Sequence, residues 1–142
     1  MQTHRELLLE GRKTLEEAGI ADSTTDAWLL MEYITGMTRA SYFMRENEEM
    51  SREQAEKYRE MIRRRAQHIP LQHITHEAWF YGLKFYVDEH VLPPRQYTAV
   101  LVEEVLLEAG KMQAGSSRSR ILDMCTGSGC ILLALLSVLK EA

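Results

Sequence analysis

The chain has 142 residues, of which 21 are acidic and 17 basic, so its formal net charge at pH 7 is −4. This weak negative charge is not typical of a polyanion-binding protein or of an acidic disordered tail, so no direct nucleic-acid partner is expected. The first residues are polar and no run of about 18 apolar residues occurs, which predicts neither a secretory signal nor a membrane span and favours a cytosolic protein.

The first seventy residues are predicted to form a helical bundle. Apolar side chains recur at spacings of three and four residues, as on one face of an amphipathic helix. Thr38 and Ser51 are predicted N-caps, Gly19 and Gly36 are predicted to end the first two helices, and Pro70 is expected to close the bundle. The predicted buried stripes contain Leu8, Gly11, Leu15, Ala18, Ala27, Leu30, Met31, Ile34, Ala55, Tyr58, Met61, Ile62 and Ala66.

A run of three arginines, Arg63–Arg65, lies near the end of the predicted fourth helix. Consecutive arginines can bind RNA phosphates, but successive residues of a helix point about 100° apart, so the three side chains would not form one patch. Positive charge at a helix C-terminus also interacts favourably with the helix dipole. A solvated helix end is therefore the favoured interpretation.

No sequence pattern predicts a metal site. The two cysteines, Cys125 and Cys130, lack a second pair and so form neither a zinc site nor a disulfide framework. His73 and His76 are three residues apart, but residues 71–75 read as extended chain. In an extended chain that spacing places the two side chains on opposite faces.

Residues 71–95 are rich in aromatic and β-branched side chains, which predicts a β-hairpin. Leu83, Phe85 and Val87 alternate with Lys84 and Tyr86, as on the buried face of a strand. This segment is expected to connect two domains.

A helix and a linker are expected after the hairpin. Pro93 and Pro94 remove two backbone donors and take the chain out of the sheet. The next helix is predicted from Thr98 to Gly110. The glycine- and serine-rich residues 111–119 are expected to form a surface linker.

The most informative stretch lies between residues 121 and 139. Ile121–Met124 read as a short buried strand, Thr126–Gly129 as a tight turn, and Cys130–Leu139 as an apolar helix. A strand, a glycine loop and a helix in this order are typical of a nucleotide site, because glycine lets the backbone turn sharply and approach a ligand. The alternative is a structural turn that joins a core strand to a core helix.

Three ligand classes can use such a loop. A Walker loop requires Lys-Ser or Lys-Thr after its last glycine, but Gly129 is followed by cysteine and isoleucine. The dinucleotide fingerprint requires a third glycine at position 132, which is leucine. The remaining pattern, Asp123-x-x-x-Gly127-x-Gly129, resembles the first motif of S-adenosylmethionine-dependent methyltransferases.

Four blocks, in this order, resemble the release-factor glutamine methyltransferase family, known as HemK or PrmC. They read Pro-Leu-Gln-His-Ile-Thr from position 70, Phe-Tyr-Gly-Leu-x-Phe-x-Val from 80, Val-Leu-Pro-Pro-Arg-x-x-Thr from 91 and Ile-Leu-Asp-x-x-Thr-Gly-Ser-Gly from 121. The resemblance implies an α/β protein, mostly helical by content. Its implied parts are a helical substrate-docking domain over 1–70, a β-hairpin linker over 71–95, and over 96–142 the truncated start of a Rossmann-like methyltransferase domain.

The resemblance also implies an activity and a cofactor site. The activity is N5-methylation of the glutamine in the Gly-Gly-Gln motif of peptide chain release factors, which are the implied protein partners. Arg95 and Thr98 are implied as cofactor-site or structural residues. The implied contacts to the S-adenosylmethionine cofactor are Asp123, Cys125, Thr126, Gly127, Ser128 and Gly129.

Several positions depart from the family's pattern. Cys125 and His76 stand where the family usually has glycine, and two acidic positions are missing around Arg95. In the family an Asn-Pro-Pro-Tyr loop positions the substrate amide, whose nitrogen is otherwise a poor nucleophile. The only asparagine here is Asn47. No catalytic residue is therefore expected within this sequence.

The last predicted helix raises the question of what covers it. Nine of the ten residues from Cys130 to Leu139 are apolar, and the predicted strand before them has no later strand to pair with. We therefore expect an N-terminal fragment of a longer enzyme that is inactive alone, or a truncated relative whose last helix packs on the bundle or on another protomer. A non-catalytic module that retains the docking bundle is the alternative function, and another small-molecule methyltransferase is less favoured.

Overall fold

The computed structural model describes residues 2–113 and 120–139, so most of the expected linker at 111–119 lies outside the described residues. The chain divides into two compact units, Met1–Thr75 and His76–Ala142. The fold is mostly helical with one two-stranded antiparallel sheet. The elements are α1 His4–Glu17, α2 Ser23–Thr35, α3 Arg39–Arg45, α4 Arg52–Ala66, α5 Leu71–Thr75, β1 Glu77–Phe80, β2 Leu83–Tyr86, a 3-10 turn Gln96–Thr98, α6 Ala99–Gln113 and α7 Cys130–Val138.

Polar side chains cap the starts of α1, α3 and α4, whereas Asp22 before α2 makes no side-chain cap hydrogen bond. The Thr3 hydroxyl accepts the Glu6 N–H, and the Glu6 carboxylate accepts the Thr3 N–H, which forms a capping box. The predicted caps Thr38 and Ser51 each accept an N–H from three residues further along. Gly36 adopts a left-handed conformation directly after α2, as predicted.

The core of the first unit contains most of the predicted helical stripes, but Leu8, Ala18, Ile34, Met61 and Ala66 are only partly buried, and Leu7, Ile20, Met50 and Ile74 belong to the core without having been predicted. Gly11 of α1 lies against the ring of Tyr58 on α4, whose hydroxyl donates to the carbonyl of Ala27 at 3.2 Å. This close approach requires glycine, because a Cβ at position 11 would overlap the Tyr58 hydroxyl. The residues buried in this cluster are Leu7, Leu15, Ile20, Ala27, Leu30, Met31, Met50, Ala55, Tyr58, Ile62 and Ile74.

The arginine run does not form a wholly solvated helix end. Arg63 is exposed, but the Arg65 guanidinium donates to the Asp26 carboxylate at 2.6 Å and to the Ile69 carbonyl at 3.2 Å. Only 19% of the Arg65 side chain and 11% of the Asp26 side chain are exposed. The interpretation as a solvated end is therefore wrong for Arg65, which joins α4 to α2.

Residues 71–75 form helix α5, so the predicted extended conformation is wrong. Pro70 precedes the helix, where its missing N–H causes no loss, and its carbonyl accepts the N–H groups of His73 and Ile74. Ile74 is 2% exposed and belongs to the core of the first unit. Burial of the Ile74 side chain in this core therefore stabilises the helical turn.

The predicted hairpin is present at the start of the second unit. β1 and β2 pair antiparallel around Tyr81 and Gly82, which both have positive φ, as a tight two-residue hairpin turn requires. Phe85 and Val87 are buried while Tyr86 is exposed, so the predicted alternation is confirmed.

The hairpin packs with α6 and α7 into a second core. Leu135 and Ala134 of α7 are buried there against Phe80 and Val102. Helix α6 begins at Ala99, next to the predicted start, but continues through Gly110 instead of ending there. Within the described ranges no helix is both long and apolar enough to cross a membrane.

The predicted buried strand Ile121–Met124 is wrong in this structure. These residues adopt no strand, and Leu122 and Met124 are 83% and 77% exposed. The sheet within the described residues consists of β1 and β2, so this segment has no strand beside it with which to exchange backbone hydrogen bonds.

Candidate cofactor-binding loop

The glycine loop connects residues 120–123, which have no regular secondary structure, to the start of α7. The Thr126 hydroxyl donates to the Asp123 carboxylate at 2.8 Å, so two predicted site residues are brought together. The Gly129 N–H then donates to the Thr126 carbonyl at 2.9 Å and closes the turn. These two hydrogen bonds stabilise the turn over residues 123–129.

The backbone of this loop is left-handed at three positions. Cys125, Gly127 and Gly129 have φ values of 58°, 57° and 74°. Glycine adopts this conformation readily, whereas a residue with a Cβ is strained there by about 1–2 kcal/mol. Cys125 therefore holds a glycine-type conformation despite its side chain, which is exposed.

The space around the loop is compatible with a ligand that approaches the backbone. A Cβ built on Gly127 would meet only the Cys125 carbonyl oxygen, at 4.0 Å. Helix α7 begins directly after Gly129, and the first N–H groups of a helix have no intrahelical acceptor. The backbone at Thr126–Gly129 is therefore open to a small ligand, while Cys125 adds an exposed side chain beside it.

Arg95 and Thr98 lie just before α6, at the two ends of the 3-10 turn, and within the described residues neither is hydrogen-bonded to the loop. Arg95 is exposed, and its carbonyl accepts the Thr98 N–H at 3.0 Å. The Arg95 side chain has no ion-pair partner among residues 2–113 and 120–139. Beside it, the Gln96 amide donates to the carbonyl of Trp79 in β1 at 3.0 Å and ties this segment to the hairpin.

His76 also holds a left-handed backbone, with φ of 57°. Its ring stacks on Tyr86 at 5.3 Å between centroids, and Nδ1 lies 3.2 Å from the Val87 carbonyl. His76 is thus fixed at the base of the hairpin. In the part of the chain that is described, no three His, Cys, Asp or Glu side chains are grouped so as to hold a metal ion.

Sequence reasoning missed a concave surface on the first unit, one of several there. It is a groove of about 350 Å³ between α1, α2 and α3, and we call it the arginine groove. The available sequence signal was the pair of adjacent apolar residues Phe43 and Met44. In the structure both lie on the short α3 and are strongly exposed. The groove is lined by Arg5, Leu8, Leu9, Arg12, Thr24, Trp28, Arg39, Tyr42, Phe43 and Glu46.

Comparison with known proteins places both units in one family. Residues 6–75 match the family model described as the PrmC N-terminal domain. The Agrobacterium fabrum release factor glutamine methyltransferase is 34% identical over 135 residues, which are 95% of this chain and 47% of the relative. The chain belongs to the release factor glutamine methyltransferase family. Two further members with the same name come from Deinococcus radiodurans, 32% identical over 97% of this chain, and Thermodesulfovibrio yellowstonii, 48% identical over 63%.

The same matches show how much of the length of a release factor glutamine methyltransferase this chain covers. The chain spans about half the length of the first two relatives, 47% and 48%. The positions Cys125 and His76, where the family pattern usually has glycine, both keep positive φ. Both positions therefore have a backbone conformation that glycine adopts readily, although neither residue is glycine.

Proposed function

We propose that this chain is the N-terminal part of an S-adenosylmethionine-dependent N5-glutamine methyltransferase that acts on the Gly-Gly-Gln motif of peptide chain release factors in the cytosol. The observation that carries the proposal is the match to release factor glutamine methyltransferases over 95% of the chain. The left-handed backbone at Cys125, Gly127 and Gly129 supports the cofactor part of the proposal.

The two units have different roles in this proposal. The unit Met1–Thr75, which contains the PrmC N-terminal domain, docks the protein substrate. In this proposal residues 121–139 correspond to the first strand, loop and helix of a Rossmann-like domain. Ile121–Met124 are not a strand in the described structure, and we expect them to form one only beside parallel neighbours. The exposed Leu122 and Met124 are then covered by adjoining layers. The proposed cofactor contacts are Asp123, Cys125, Thr126, Gly127, Ser128 and Gly129, with Arg95 and Thr98 as cofactor-site or structural residues.

The chemistry requires positioning more than acid or base groups. S-adenosylmethionine supplies a methyl group on a sulfonium, which a nucleophile displaces. The glutamine amide nitrogen has its lone pair delocalised, so it must be held in line with that methyl group by hydrogen bonds to the amide. By resemblance an Asn-Pro-Pro-Tyr loop does this, and the only asparagine here is Asn47. We therefore expect the chain alone to bind release factor without transferring a methyl group.

A fusion experiment tests the proposal. The purified chain is compared with a fusion to the C-terminal half of the Agrobacterium fabrum relative, using radiolabelled S-adenosylmethionine and purified release factor. We expect no transfer by the chain alone and transfer by the fusion. A Thr126→Val variant of the fusion should raise the KM for cofactor, because it removes the hydrogen bond to Asp123 that braces the loop.

Two results would count against the proposal. The first is methylation of release factor by the chain alone, and the second is a folded fusion that is inactive while the intact relative is active under the same conditions. A fusion that binds release factor but does not bind cofactor would favour the second candidate function, a non-catalytic release-factor-binding module. The Cys125 side chain in the loop is the observation that supports this second candidate.

A further inference from the structure

We propose that the arginine groove of the first unit binds an acidic, leucine- or phenylalanine-containing peptide segment of the partner protein. The inference deepens the docking role proposed above and depends on it for the partner's identity. It assigns that role to one surface among the described residues.

The floor of the groove is an aromatic cluster that is already packed. The Trp28 and Tyr42 rings meet edge to face at 5.2 Å between centroids, and the Arg39 guanidinium lies 4.8 Å from the Trp28 centroid. Trp28 and Tyr42 are each only 6% exposed. These contacts join α2 to α3 and make the floor rigid, which reduces the entropy lost on binding.

The rim offers apolar surface that the fold leaves open. Phe43, which meets the Tyr42 ring at 5.8 Å, is 68% exposed, and Leu9 of α1 is 55% exposed. Both line the same groove, whose volume of about 350 Å³ can hold an apolar side chain. An incoming leucine or phenylalanine would be buried between these two residues.

The charge of the groove is opposite to that of the chain. Three arginines, Arg5, Arg12 and Arg39, line it together with a single carboxylate, Glu46, although the net charge of the chain is −4. Glu46 is already paired with Arg5 at 3.8 Å. Arg12 and Arg39 have no carboxylate partner among the described residues, so carboxylates of an incoming segment can pair with them.

Aromatic and arginine side chains can also bind single-stranded RNA, but here the geometry disfavours it. Base stacking requires an open aromatic face, whereas Trp28 and Tyr42 are almost fully buried and Arg39 already covers Trp28. Phe43 alone remains open on the rim. An acidic peptide uses the arginines and the apolar rim together and needs no stacking.

Trp28 provides a direct reporter for the test. The sequence has two tryptophans, so the full chain carrying Trp79→Phe fluoresces from Trp28 alone. Short synthetic peptides composed of Glu and Leu, of Gln and Leu, and of Lys and Leu are titrated, with oligouridylate as the RNA probe. We expect the Glu-Leu peptide to bind at least about tenfold more tightly than the others and to lose affinity as salt is raised.

Two variants and a matched control locate the binding. Arg39→Glu and Phe43→Ser should each weaken binding of the Glu-Leu peptide at least about tenfold by calorimetry. Lys13→Glu makes the same kind of charge change on an exposed part of α1 outside the groove and should leave affinity within about twofold. Far-ultraviolet circular dichroism checks that each variant is folded, and Phe43, being largely exposed, can be replaced without opening the core.

Binding of oligouridylate in place of the peptide, no preference for acidic peptide, or undiminished affinity in both groove variants would overturn the inference. Titration of purified release factor separates it from the proposed function. Release factor binding that survives both variants refutes the groove but not the docking role. Acidic-peptide binding without any release factor binding refutes the docking role but not the groove.

Discussion

Gly11→Ala is the most direct test of how the first unit is packed. Gly11 lies on the buried face of α1, where a methyl group would overlap the Tyr58 hydroxyl and lie 2.9 Å from ring carbon Cζ and 3.0 Å from Cδ1 of Ile62. Tyr58 is 1% exposed and hydrogen-bonded to the Ala27 carbonyl, so its ring cannot move into the neighbouring cavity of about 150 Å³ without disturbing that hydrogen bond. Either α1 shifts outward or that hydrogen bond breaks.

The expected loss of stability combines two destabilising contributions and one stabilising contribution. Overpacking a filled core costs about 1–3 kcal/mol, and loss of the Tyr58 hydrogen bond costs about 1 kcal/mol. Alanine is favoured over glycine within a helix by about 1 kcal/mol, which offsets part of this. We expect a net decrease of about 1–3 kcal/mol in the free energy of unfolding, and about 2–4 °C in melting temperature for each kcal/mol, as for a chain of about 150 residues.

Thermal unfolding followed by far-ultraviolet circular dichroism measures this, with Tyr58→Phe as the partner in a double-mutant cycle. Tyr58→Phe alone should lose about 1 kcal/mol because the Ala27 carbonyl loses its donor. Together the two changes should cost less than their sum, because the phenylalanine ring lacks the oxygen that meets the methyl group. Additive effects, or a stabilising Gly11→Ala, would refute this account of the packing.

Three further predictions concern single groups. Arg65→Met should destabilise the protein by about 3 kcal/mol, because it leaves the Asp26 carboxylate largely buried without its partner, whereas Arg63→Met should change stability by less than about 0.5 kcal/mol in the same urea titration. Burial raises the pKa of Tyr58. The unfolded chain therefore ionises this group first, so the free energy of unfolding should fall as pH rises above about 10, and by less in Tyr58→Phe. At position 125, Cys125→Gly should be more stable than Cys125→Ala by about 1 kcal/mol in urea unfolding followed by far-ultraviolet circular dichroism, and the reverse order would show that the backbone there is not left-handed.

The helices of the first unit were predictable because their determinants are local. The hydroxyls of Thr38 and Ser51 act within one turn, and apolar spacing identifies the face that is buried. The ion pair of Arg65 with Asp26 joins residues 39 positions apart, so no local pattern indicates it. The arginine groove was missed for the same reason, since Trp28 and Arg39 come from different helices.

The errors at residues 71–75 and 121–124 also have physical causes. A proline was interpreted as the end of the bundle, although proline is equally suited to precede a helix, as Pro70 does. A run of apolar residues was interpreted as a buried strand, but a strand exists only when another strand accepts and donates its backbone hydrogen bonds. Ile121–Met124 have the composition of a strand without that partner in the described structure.

Two residues with side chains, Cys125 and His76, have a backbone conformation that glycine favours. Cys125 and His76 carry side chains at positions where the family pattern usually has glycine, yet both remain left-handed. Such strain persists only where surrounding contacts determine the conformation. At Cys125 these contacts are the hydrogen bond between Thr126 and Asp123 and the turn closed by Gly129, and at His76 they are the stacked Tyr86 ring and the Val87 backbone. The left-handed backbone at Cys125 and His76 is therefore held by these contacts, although neither residue favours that conformation.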